Sequence, residues 1–227
     1  NFLFHNKGKG SFEEVAFRAG VSVGVEGRSL AGMGVDMADM DGDGLLDIIV
    51  TNLDRETHSL YRNLGKGLFS NVTFESGVGQ ATLPFVGFGV AFLDYDNDSD
   101  LDLTIANGDI IDNVSQFRDN TTHEQRNLLL QNDGKGRFRD IGPASDSGFA
   151  LKKVSRTLAV GDLDNDGDLD MVIGNNGQTA DLLRNDGGNR NNSLLIRAIG
   201  TKSNRDGIGA RLKLTVGGKT LMRHIKA

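Results

Sequence analysis

The sequence predicts an all-β protein made of β-propeller blades, followed by the start of a second, small β domain. Three observations carry that expectation. Glycine is abundant, 31 residues against 2 prolines, which implies many tight turns and therefore short strands. The apolar runs are short, rich in Val, Ile, Leu and Phe, and show scarcely any helical period. Finally, one phrase recurs: "GVDMADMDGDGLLDIIVTN" at 34–52, "GVAFLDYDNDSDLDLTIAN" at 89–107 and "LAVGDLDNDGDLDMVIGNN" at 158–176. Each copy reads as a short strand, an acidic loop, then Leu-Asp and an apolar strand ending in Asn.

A second phrase follows each copy: "LYRNLGKGLF" at 60–69, "LLLQNDGKGRF" at 128–138 and the degraded "LLRNDGGN" at 182–189. It reads as an apolar strand, an Asn-x-Gly turn and an aromatic strand. "GKG" at Gly8, Gly65 and Gly134 is followed by a strand rather than a helix, so a hairpin turn with positive φ is expected, not a phosphate loop. First aspartates of successive copies lie 55 residues (39 to 94) and 68 residues (94 to 162) apart, which fits four short strands per unit, one propeller blade. The N-terminus, "FLFHNKGKGSFEEV" at 2–15, carries the second phrase alone and reads as the outer half of an incomplete first blade. Residues 1–190 are thus expected to form blades and 191–227 the start of a truncated β domain. About three and a half blades fall short of the four needed for closure, so open edges invite pairing into a homo-oligomer or filament.

The acidic loops carry the chemistry. In "DLDNDGDLD", side-chain oxygens stand at positions 1, 3, 5 and 9, namely Asp162, Asp164, Asp166 and Asp170. Gly167 permits a sharp bend, and the Asp168 carbonyl can point inward. Hard oxygen donors without nitrogen or sulfur select a hard cation, and a flexible carboxylate-rich loop suits calcium better than magnesium. An EF-hand is excluded, because its twelfth position needs a Glu and here holds Val50, Ile105 or Ile173. The fourth carboxylate arrives instead at position 9, as Asp47, Asp102 and Asp170. Ordinary polar turns need one or two Asp, not four at fixed alternate positions in three copies. Ser99 replaces the glycine in the middle copy, so the Asp94 to Asp102 loop is expected to be the weakest.

These loops and the "N-x-G-x-G-x-F" phrases resemble FG-GAP/VCBS repeats, the calcium-binding blades of integrin-α-type propellers. The tail, above all "SNRDGIGARLKL" at 203–214, resembles the start of an ASPIC/UnbV domain. Together they resemble the cartilage-acidic-protein-like family of secreted proteins, which occurs in bacteria too, and imply a fragment of a bacterial member. The resemblance implies three structural Ca²⁺ sites and no catalytic residues. Matched by position, the first ligand set is Asp39, Asp41, Asp43, the Leu45 carbonyl and Asp47. The second is Asp94, Asp96, Asp98, the Asp100 carbonyl and Asp102, and the third Asp162, Asp164, Asp166, the Asp168 carbonyl and Asp170.

The bulk numbers agree with that reading. The net charge is −6, which three divalent ions would bring to zero, and 14 of the 31 acidic residues lie in the three loops. An acidic chain argues against nucleic acid as a partner, and no apolar run approaches a membrane span. Absence of cysteine excludes disulfides and thiolate sites. The chain shows no signal peptide and opens without Met, as a mature or trimmed piece would. No nucleophile elbow or zinc-protease motif appears, and the dispersed His5, His58, His123 and His224 are expected to be surface or structural. An irregular stretch at 107–127 is a candidate recognition loop and holds two sequons, at Asn113 and Asn120; others start at Asn71 and Asn191. The expected function is a secreted, calcium-stiffened binding or adhesion module with a protein or glycan ligand and no enzymatic activity. Alternatives are a self-assembling structural protein or an accessory part of a polysaccharide-active enzyme.

Overall fold

Short β-branched and leucine-rich runs between glycine turns leave the chain few helical options, and strands result. The computed structural model describes residues 1–144, 148–202 and 204–226. Strands β1 (Phe4–Gly8) and β2 (Ser11–Glu14) form an isolated hairpin, followed by one turn of helix, α1 (Ala16–Ala19). The first four-stranded antiparallel sheet is a meander of β3 (Val35–Ala38), β4 (Asp47–Val50), β5 (Ser59–Asn63) and β6 (Phe69–Asn71). After α2 (Val78–Thr82) come β7 (Gly87–Leu93), β8 (Asp102–Asn107), β9 (Gln125–Arg126), β10 (Leu128–Asn132) and β11 (Phe138–Asp140). Strands β7, β8, β10 and β11 make the second four-stranded sheet, while β9 pairs with β12 (Lys152–Lys153).

The third sheet holds β13 (Ser155–Gly161), β14 (Asp170–Asn175) and β15 (Asp181–Leu183), three strands where the repeat leads one to expect four. Its second phrase has lost the Lys-Gly-aromatic continuation, and Gly188–Arg190 form a 3₁₀ turn instead. A Cβ on Gly188 would meet the Tyr95 carbonyl oxygen at 2.5 Å, so this turn packs directly on the neighbouring acidic loop. The tail makes a separate hairpin, β16 (Arg211–Val216) with β17 (Lys219–His224). Of the sequence that resembles an ASPIC/UnbV domain, Ser203 and Ala227 lie outside the described residues.

In the first two sheets the apolar runs are unbroken because both faces are covered, whereas the third sheet leaves Val172 and Leu182 exposed on one face. Leu128 and Leu130 join Ile49, Leu60, Leu103 and Ile105 in the core between the first and second sheets. Leu129, pointing the other way, joins Leu93, Phe149 and Met171 between the second and third. On the outer face of the first sheet, Ile48, Val50 and Tyr61 pack under α1. The sheets therefore stack face to face, with first strands β3, β7 and β13 side by side. A Cβ at Gly34 would lie 1.9 Å from the Phe88 carbonyl oxygen and one at Gly89 2.7 Å from the Leu158 nitrogen. Only glycine admits backbones that close.

His58 seals the same interface. Its side chain is fully buried, Nδ1 accepts the Asn52 N–H at 3.2 Å, and Nε2 faces Asn107. Burial pushes the imidazole down to about 3, so it stays neutral. The 107–127 stretch lies at the ends of the sheets away from the acidic loops and reaches both neighbours. Arg118 pairs with Asp54 of the first sheet at 2.6 Å, and the Gln178 amide donates to Glu124 at 2.8 Å. Asn113 and Asn120 are exposed there, whereas the Asn71 amide nitrogen is buried and the Asn191 amide donates to the Asp96 carbonyl oxygen at 2.9 Å.

Candidate metal centres

Each acidic loop joins the first and second strands of its sheet and is shaped by its own carboxylates. The first aspartate accepts the N–H of position 6: Gly44 to Asp39 at 2.9 Å, Ser99 to Asp94 at 3.0 Å and Gly167 to Asp162 at 3.2 Å. The third binds the N–H two residues on: Leu45 to Asp43 at 2.8 Å, Asp100 to Asp98 at 2.8 Å and Asp168 to Asp166 at 3.2 Å. The bend at position 6 is left-handed in all copies, with φ of 88° at Gly44, 82° at Ser99 and 97° at Gly167. Ser99 therefore keeps the glycine geometry and bears the strain of it.

The fourth aspartate closes the loop onto the third strand. Asp47 accepts the N–H of Met40 at 3.0 Å and of Asn63 at 2.8 Å. Asp102 accepts those of Tyr95 at 3.3 Å and Asn132 at 2.8 Å, and Asp170 those of Leu163 and Asn185, both at 2.9 Å.

With the loops folded this way, carboxylate oxygens of Asp39, Asp41 and Asp43 lie within 4.8 Å of one another, as do those of Asp94, Asp96 and Asp102, and of Asp162, Asp164 and Asp170. None of the three groups contains all four side chains of its expected ligand set. Asp47 stands apart in the first loop, and Asp98 and Asp166 hold backbone N–H groups in the others. Leu45, Asp100 and Asp168 sit on the loops as donors to those carboxylates.

Asp39 Oδ1, Asp41 Oδ1, Asp94 Oδ1 and Asp96 Oδ1 are buried without a hydrogen-bond partner. Carboxylate oxygens so placed are costly unless a cation satisfies them. Electrostatics carry the same strain. Burial first, then the charges of Asp41 and Asp43, push Asp47 up to about 6 against the N–H groups that favour its anion. Asp102 is pushed up to about 8 by burial and by Asp96 and Asp98, and Asp94 to about 6 mainly by burial, with Arg223 opposing. The donor set is all oxygen, with buried and underbonded carboxylate atoms in the first two loops and a more exposed set in the third, and it fits a hard divalent ion.

Two kinds of residue around the loops escaped the sequence reading. In the first two loops the residue before the turn asparagine faces the second aspartate: Arg62 Nε lies 3.0 Å from Asp41 Oδ2, and the Gln131 amide donates to Asp96 Oδ2 at 3.3 Å. The turn asparagines are the other kind. Their side-chain oxygens accept the glycine N–H two residues on, from Gly8 to Asn6, Gly65 to Asn63, Gly134 to Asn132 and Gly187 to Asn185. Asn stands at this position in all four copies of the phrase, which is the signal that could have identified it.

The chain matches the FG-GAP-like repeat family over residues 1–50, 39–105 and 114–173. It is similar to cartilage acidic protein 1 of Homo sapiens, 28% identical over 204 residues that make up 86% of this chain and 28% of that protein. The similarity to the Mus musculus protein is the same in extent, and that to the Xenopus tropicalis protein is 28% over 178 residues, 76% of this chain and 24% of that one. The chain thus spans under a third of the length of these curated relatives. Among solved structures, an Agrocybe aegerita lectin specific for non-reducing terminal N-acetylglucosamine aligns with 83% of this chain and 48% of its own, at 19% identity and a TM-score of 0.38. A superposition that loose carries no argument about fold or ligand.

Proposed function

The chain belongs to the FG-GAP-like repeat family, and from that premise we propose that it is a calcium-binding, extracellular β-propeller module that serves binding or adhesion. One observation carries the calcium reading: buried carboxylate oxygens on Asp39, Asp41, Asp94 and Asp96 that have no hydrogen-bond partner among the described residues. Calcium, when bound, supplies the positive charge and a coordination shell of six to eight oxygens that such loops can fill. Asp39, Asp41, Asp43 and Asp47 would hold it in the first loop with the Leu45 carbonyl. Asp94, Asp96, Asp98 and Asp102 with the Asp100 carbonyl, and Asp162, Asp164, Asp166 and Asp170 with the Asp168 carbonyl, would do so in the others. The fourth aspartate of each set ties the loop to the third strand, so fixing that carboxylate stiffens the sheet. Affinity of order 10⁻⁴–10⁻³ M, as in extracellular modules, suits a secreted location.

The role is support rather than catalysis. The most buried histidine, His58, is held neutral between two sheets, and the carboxylates are committed to loops. The partner is a protein or glycan surface. Thermal melting with and without a calcium chelator tests the reading: removal should lower the midpoint by many degrees, and an unchanged midpoint contradicts it. Self-association is a second reading, favoured by Phe2, Phe4, Phe12 and Phe17, all well exposed at the N-terminal hairpin and helix. Size-exclusion chromatography that returns only monomer at high concentration removes it.

A further inference from the structure

Two hydrogen bonds run from the turn asparagine of one sheet to the acidic loop of the sheet before it. The Asn132 amide donates to the Met40 carbonyl oxygen at 2.8 Å, and the Asn185 amide to the Tyr95 carbonyl oxygen at 2.6 Å. Met40 and Tyr95 occupy position 2 of their loops, between the first and second aspartates, so the peptide being held carries a proposed ligand on either side. The same amides also donate within their own sheets, to Leu101 and Leu169, at 2.9 and 3.4 Å.

Followed end to end, the bonds form one chain. Asp47 takes the Met40 N–H, and the Met40 oxygen takes the Asn132 amide. Asp102 takes the Asn132 and Tyr95 N–H groups, and the Tyr95 oxygen takes the Asn185 amide. Asp170 takes the Asn185 N–H and that of Leu163. Each link joins the ninth position of one loop to the second position of the loop before it. Both junctions between successive sheets repeat the pattern, which sets it apart from an isolated polar contact.

We infer that Asn132 and Asn185 are positioning residues that couple neighbouring cation loops, so that an ion in one loop tightens binding in the loop before it. The inference rests on the calcium reading above. An ion that fixes Asp170 restrains the Asn185 backbone, and through its amide the Tyr95 peptide between Asp94 and Asp96. Linkage makes the effect reciprocal. Asn63 is the internal control: it makes the same turn, and its amide donates to Leu46 of its own sheet at 2.8 Å rather than to another loop.

The chain holds 2 tyrosines and no tryptophan. Tyr95 stands between Asp94 and Asp96 in the second loop, its N–H bound to Asp102. Terbium, a hard ion that substitutes for calcium, will luminesce when excited through Tyr95, and Tyr95→Phe identifies that signal. Asp164→Asn disables the third loop and is expected to weaken terbium binding at the second about five-fold, within the usual range of coupling between sites. In an Asn185→Asp background, which keeps the turn and removes the donor, Asp164→Asn is expected to have no such effect. The difference between backgrounds subtracts long-range charge effects. Equal weakening in both backgrounds, or none in the native chain, overturns the inference. Should Asn185→Asp fail to fold by circular dichroism, Asn132→Asp with Asp43→Asn makes the same test across the other junction, with Asn63→Asp leaving that coupling intact. A native chain without Tyr95-sensitised terbium signal sinks the cation reading itself, whereas signal without coupling sinks only this inference.

Discussion

At the residue scale, position 6 of the middle loop is the clearest departure from the repeat. Ser99 adopts φ of 82°, beside 88° and 97° at the glycines of the other loops. Ser99→Gly should therefore stabilise the protein by about 1 kcal/mol, read from urea denaturation with calcium present. The flanking residues point the other way. Arg62 sits 3.0 Å from Asp41 as a cation that would compete with a bound ion, while the equivalent Gln131 of the middle loop donates to Asp96 without a charge. Arg62→Gln should tighten calcium binding to the first loop several-fold in a titration, and unchanged binding would show the pair to be inert. The three-carboxylate groups could be anticipated because their members fall within nine residues of one loop. Arg62 and the turn asparagines could not, because they meet the loop only after the chain has returned along two strands.

At the scale of elements, the strands follow from local sequence, since short apolar runs between positive-φ glycines leave little else. Glycines at 8, 65 and 134 take φ of 83°, 77° and 75°, as the turn reading requires. Which face of a run meets which neighbour was not legible, because in a stacked sheet both faces are apolar. Leu130 lies fully buried between the first two sheets, and Leu130→Ala should cost about 3 kcal/mol without altering ion stoichiometry. The loss of the fourth strand in the third sheet follows from one degraded phrase, but the packing of its replacement turn against Tyr95 is a tertiary fact. The β9–β12 pairing was equally hidden, each strand being two residues long.

At the scale of the whole molecule, charge and pH link the loops to stability. Asp47, Asp94 and Asp102 have folded values near 6, 6 and 8, above the ordinary carboxylate range. In the calcium-free protein their contribution is full below about pH 4 and is lost as pH rises through those values. His58, depressed to about 3, acts oppositely: its contribution is present above about pH 6.5 and is lost as pH falls towards 3. Ions that hold the carboxylates charged compete with protons, so the stabilisation that calcium confers should grow between pH 4 and 8. Melting curves with and without calcium across that range check the sign. The C-terminal hairpin adds cations to the same region, Lys226 lying 2.6 Å from Asp36 and Arg223 3.6 Å from Asp94. This long-range closure was beyond reach of the repeat pattern.

Equilibrium dialysis followed by elemental counting of bound calcium tests the central claim most directly. One ion per acidic group, three per chain, is the predicted count, falling to none when Asp41, Asp96 and Asp164 are replaced by Asn. A native chain that retains no calcium above the buffer level, or a variant that retains as much as the native chain, would contradict the account.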